Sequence, residues 1–133
     1  MRDMDLIREL LLKIEGGQTS FETISSDGAS FLGIETETFL TREQADKLSS
    51  HLDLLEQAGF IEIEFRSLGG TLIVKRITWQ GYDFLDSIRD PEVWRKTKEG
   101  ASKAGSWTVQ LLVEVSKAYA KQKLKEVTGL DLA

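Results

Sequence analysis

Few residues in this chain could do covalent chemistry. It has one histidine, His51, and no cysteine in 133 residues. Any nucleophile–base pair would have to be built on His51, which falls mid-helix beside an apolar stripe. That position reads as a satisfied structural histidine, hydrogen-bonded beneath the first helix. Asp83 and Asp86 stand three residues apart but flank an apolar face, and read as a solvated edge. No carboxylate–histidine cluster has metal-ligand spacing. Gly69-Gly70 lacks the lysine and following helix of a phosphate-binding loop, and a hairpin turn accounts for it. The expectation is a protein that is not an enzyme and carries no metal and no cofactor.

Binding chemistry is better represented. Arg42, Gln44, Lys47, Ser49 and Ser50 lie along one helix and could meet base edges, while Arg66, Lys75 and Arg76 on the hairpin that follows could meet phosphate. Residues 41–58 nevertheless carry a net charge of −2, against +3 for residues 66–76. Phosphate neutralisation supplies most non-specific affinity for DNA, so an acidic reading helix opposes that use. Lys117, Lys121 and Lys125 recur every four residues, with Lys123 nearby, and a solvated helical face explains them. Trp107, Leu111, Val115 and Tyr119 form a stripe on the same helix that would pack against its copy in a homodimer. The tryptophans Trp79, Trp94 and Trp107 fall at element starts or on apolar faces, and core packing is expected for them.

Composition narrows the class. A hydrophobic fraction of 41% with 29% charged residues is ordinary for a globular domain. No apolar run approaches the roughly 18 residues of a membrane span. The acidic N-terminal segment is not that of a secretion signal. With no cysteine there is no disulfide framework, and a cytoplasmic location is the default expectation. The net charge of −5 is uneven: residues 1–65 carry −9 and residues 66–133 carry +4. The acidic half could meet a basic protein partner; no membrane partner is expected.

These residues need elements to position them. Asp3 caps a helix whose Leu6, Ile7, Leu10, Leu11 and Ile14 recur at helical spacing, and Gly16-Gly17 ends it. Ser26-Asp27-Gly28 reads as a turn. Ile34 to Phe39 alternates as a short strand. Thr41 and Gln44 have capping-box spacing, and Ala45, Leu48, Leu52 and Leu55 extend that helix to Gly59. Residues 60–78 read as a hairpin, Phe60 to Phe65 alternating strictly and Thr71 to Thr78 returning. Gly81 opens a further apolar run. Asp90-Pro91-Glu92 starts a helix that fades near Gly100, and the last helix runs from about Trp107 to Val127.

Two stretches carry a resemblance. His51-Leu52-Asp53-Leu54-Leu55-Glu56-Gln57-Ala58-Gly59-Phe60-Ile61 resembles the end of the recognition helix in many bacterial winged-helix regulators. Ile77 to Leu85 resembles their strand-to-helix signature after the wing. Ser50 and Asp53 stand where those regulators usually carry basic or amide side chains. More narrowly, Arg2-Asp3-Met4-Asp5-Leu6-Ile7-Arg8 together with Ile77 to Asp90 is similar to an uncharacterised bacterial and prophage family of unknown function. The resemblance implies an α+β fold, a winged helix-turn-helix over residues 1–90 with a helical C-terminal extension over 91–133 packed on it. It implies a DNA-binding or transcription-regulatory role on double-stranded DNA. The alternative is a protein–protein interaction module that uses the acidic face and binds no DNA.

Overall fold

The computed structural model describes residues 2–33, 39–105 and 107–129. The chain divides into two compact units, Met1–Tyr82 and Asp83–Ala133. Among the described residues the elements run α1 (Met4–Glu15), β1 (Ser20–Glu22), α2 (Ser26–Leu32), α3 (Arg42–Gln57), β2 (Ile61–Arg66), β3 (Thr71–Ile77), α4 (Trp79–Ile88), α5 (Pro91–Ala104) and α6 (Val109–Thr128). Together the described residues make a mixed α+β fold with a small three-stranded antiparallel sheet.

In the first unit α1 forms as its sequence predicts. The Asp3 carboxylate accepts from the Leu6 N–H at 3.1 Å, satisfying one of the orphan donors of the first turn. Ile7, Leu10, Leu11 and Ile14 are buried, and α1 lies against α3 and β3. The α3 helix is held by a complete capping box: the Gln44 N–H donates to Thr41 Oγ1 at 3.1 Å, and the Thr41 N–H donates to Gln44 Oε1 at 3.0 Å. Ala45, Leu52 and Leu55 form its buried stripe. Burying each leucine contributes about 1.5–3 kcal/mol.

The sheet has the order β1-β3-β2, with both pairings antiparallel. Ser20 pairs with Ile73 and Glu22 with Thr71 on one side of β3; Ile61 pairs with Ile77 and Arg66 with Leu72 on the other. The β2–β3 register slips between Glu62 and Ile63 and again between Ile63 and Phe65. These bulges change the expected alternation. Phe65, expected on the buried face, is half exposed, and Lys75 and Arg76 are consecutive exposed residues on β3.

Ser26-Asp27-Gly28 is not a free turn but the first turn of α2. Ser25 caps it, its hydroxyl accepting from the Gly28 N–H at 3.0 Å. The same residues that favour turns favour helix starts, because a short polar side chain serves both. The strand expected from Ile34 lies outside the described residues, apart from Phe39, which is in irregular structure.

The corner from β3 into α4 is built on Thr78 and Gly81. The Thr78 hydroxyl donates to the Gly59 carbonyl and accepts from the Gly81 N–H at 3.0 Å. A Cβ on Gly81 would lie 2.1 Å from the Phe60 carbonyl oxygen, so only glycine fits this approach. Trp79, expected in the core, is 88% exposed one position before Gln80.

In the second unit Asp90 caps α5, accepting from Glu92 and Val93 N–H groups, with Pro91 at the first helical position. The α5 helix does not fade at Gly100 but continues to Ala104. The α6 helix approaches closely at Gly100: a Cβ there would meet Val115 Cγ1 at 3.2 Å and the Tyr119 ring. The α6 helix starts at Val109, two residues later than expected, because Thr108 supplies the cap by accepting from the Leu111 N–H. Leu112 and Ser116 are buried on α6, and the Ser116 hydroxyl donates to Ser87 Oγ at 2.9 Å.

Candidate nucleic-acid interface

The α3 helix and the β2–β3 hairpin hold every residue expected to meet nucleic acid. On α3, Arg42, Gln44, Lys47 and Ser50 are exposed and Ser49 is half-buried. Gln44 spends its carbonyl on the capping box, which limits it as a base reader. The Ser50 hydroxyl donates to the Lys47 carbonyl at 3.0 Å. Lys47 Nζ lies 2.8 Å from Asp3 Oδ2. Hydrogen bonding to Lys47, then to the Leu6 N–H, holds the Asp3 carboxyl below the usual carboxylate range despite partial desolvation.

His51 sits beneath this surface, buried. Its Nε2 accepts from the Asp3 N–H at 2.8 Å, and its Nδ1 lies 2.7 Å from the Lys47 carbonyl. A carbonyl only accepts, so the network assigns the proton to Nδ1. Both ring nitrogens are thus engaged within the first unit. Among the described residues no group of three or more histidine, aspartate or glutamate side chains could hold a metal ion. None of the described helices is long and apolar enough to cross a membrane.

Two of the three hairpin cations are taken up by carboxylates. Arg66, at the end of β2, reaches α3: its Nη1 lies 2.7 Å from Asp53 Oδ1 and its Nη2 3.2 Å from Glu56 Oε1. Burial opposes the guanidinium charge, but the two carboxylates more than offset it and push its pKa up. Arg76 instead faces its cross-strand partner Glu62, at 3.2 Å. The two pairings lie about four ladder steps apart, roughly 13 Å along the hairpin. Arg42 and Lys75 have no ion pair with a described residue. The hairpin tip carries Leu68, fully exposed, rather than a cation.

Sequence reasoning located these cations but missed their partners. Asp53 and Glu56 register in the sequence only as acids on α3, because the contact with Arg66 is made through the fold of β2. The exposed apolar side chains Phe31, Phe39, Leu68 and Trp79 were also missed, since nothing in a local pattern marks an aromatic residue as solvent-facing. The proposed dimer stripe is partly used within the chain. Trp107, Leu111, Val115 and Tyr119 are all half-buried, and Val115 and Tyr119 lie against Gly100 of α5.

Taken together, the elements define a small α+β protein whose exposed helix and hairpin offer a mixed-charge surface. The chain belongs to the family described as "Hypothetical protein (DUF2513)", whose model matches residues 1–107. It is 35% identical over 126 residues to an uncharacterized protein of Haemophilus influenzae, covering 92% of this chain and 98% of that protein. No solved structure matches the chain.

Proposed function

We propose that residues 1–90 form a winged helix-turn-helix that binds double-stranded DNA and regulates transcription sterically. One observation carries this reading: the element order α1-β1-α2-α3-β2-β3 with the sheet order β1-β3-β2. In this topology α2 and α3 are the helix pair, α3 is the reading helix and the β2–β3 hairpin is the wing. Arg42 at the start of α3, toward base edges, and Lys75 on the wing, toward phosphate, are the cations most readily offered to the duplex. The protein acts by binding rather than catalysis, and a homodimer would match a palindromic site.

The reading is tested by titrating a fluorescent random-sequence duplex at about 50 mM salt, with wild type and the R42A/K75A variant. Saturable binding that weakens in the variant supports it. Indifference of the wild-type protein to duplex DNA would overturn it.

A second reading is favoured by the charge on α3. Glu43, Asp46, Asp53 and Glu56 leave this helix net acidic, and Phe31, Phe39 and Trp79 are exposed in the same unit. Those features suit a protein partner that is basic and apolar. Failure of the duplex titration would make this the working account.

A further inference from the structure

We propose that Asp53 and Glu56 are an internal substitute for phosphate, holding Arg66 in the free protein and releasing it when the surface engages an anionic backbone. This rests on the DNA reading and assigns a regulatory contact to the same site. The two carboxylates lie one turn apart on α3 and take the two terminal nitrogens of one guanidinium, the fork by which arginine recognises phosphate.

The contact is one that can be given up. Arg66, Asp53 and Glu56 side chains are each close to half exposed, and such surface pairs are held by little free energy. Release has a cost at one atom: Asp53 Oδ1 is shielded from solvent 2.7 Å from Arg66 Nη1, and rotation of the arginine must return that oxygen to water. Arg66 is also the last residue of β2, where the chain leaves the ladder for the hairpin turn. Rotation about its side-chain bonds can carry the guanidinium off α3 without moving the strand. The carboxylates compete with phosphate in a way that depends on salt, because both interactions are screened. Acidic residues on a reading helix then set a threshold for binding instead of precluding it.

The experiment measures the affinity of a fluorescent random-sequence duplex between about 50 and about 200 mM salt. It compares wild type, D53N/E56Q, R66A, D53N/E56Q/R66A and a charge-matched control, D27N/E114Q, with thermal melting of each to verify folding. D53N/E56Q is expected to bind about 3–10-fold tighter and to steepen the slope of log affinity against log salt by about 0.9, one further phosphate contact. The gain should vanish in the R66A background and be absent from D27N/E114Q. An equal gain with R66A, or in the control, would show a net-charge effect and overturn the proposal while leaving DNA binding intact. No binding by wild type or any variant would overturn both.

Discussion

The backbone N–H of Asp3 donates to Nε2 of His51 across 48 residues of sequence, joining the cap of α1 to the middle of α3. The same aspartate pairs with Lys47 through its carboxylate, and the same histidine reaches the Lys47 carbonyl through Nδ1. Three residues thereby fix the crossing of two helices, one of which presents the candidate interface.

His51→Phe keeps a ring in the site but orphans the Asp3 N–H and the Lys47 carbonyl. It should cost about 1–3 kcal/mol, the penalty for an unsatisfied buried polar group. Chemical denaturation measures this, and nitrogen NMR of the wild-type imidazole should report the Nδ1–H tautomer. Wild-type stability in the variant would show that the hydrogen bonds do not hold the crossing.

Gly81→Ala drives a methyl group into the Phe60 carbonyl. The corner must shift, and a loss of at least about 1–3 kcal/mol is expected. An unchanged melting temperature would mean that β3 and α4 meet differently. Elsewhere, Leu52→Ala and Leu55→Ala should each cost about 2–5 kcal/mol, since both leucines are fully buried on α3. Phe31→Ala, at 90% exposure, should stay within about 0.5 kcal/mol.

Acid should loosen the chain at two identifiable caps. Asp3 is held below the usual carboxylate range by Lys47 first and then by the Leu6 N–H; Asp90 is held low by Lys123 and then by the Val93 N–H. A carboxyl lowered in the folded state contributes stability above its unfolded value, near about 3.9, and loses it as pH falls through the folded value. Asparagine still caps a helix, so D3N and D90N isolate the charge. Both variants should melt below wild type at pH 7 and converge on it towards about pH 2. A constant difference at all pH values would assign the effect to packing.

Much of this architecture is legible in the chain, and the exceptions have causes. α1, α3, the hairpin and the start of α5 each combine a cap or turn residue with a periodic apolar stripe. α2 lacks the stripe: of its seven residues only Ala29 is buried, while Phe31 and Leu32 face solvent. β1 has three residues with Phe21 alone buried, and its strand character comes from β3. Gly100 reads as a helix end because its value lies in what α6 places against it. The candidate cations were legible as residues but not as a surface. The partners Asp3, Asp53, Glu56 and Glu62 reach them by tertiary and cross-strand contacts that no local spacing records.

Whether α3 and the wing read duplex DNA is decided by selection from a random duplex library at about 50 mM and about 200 mM salt. A reading helix should enrich a motif that persists at the higher salt and is lost with R42A/S50A on α3. Recovery of unenriched sequence at both salts, from a protein that melts cooperatively, would contradict it.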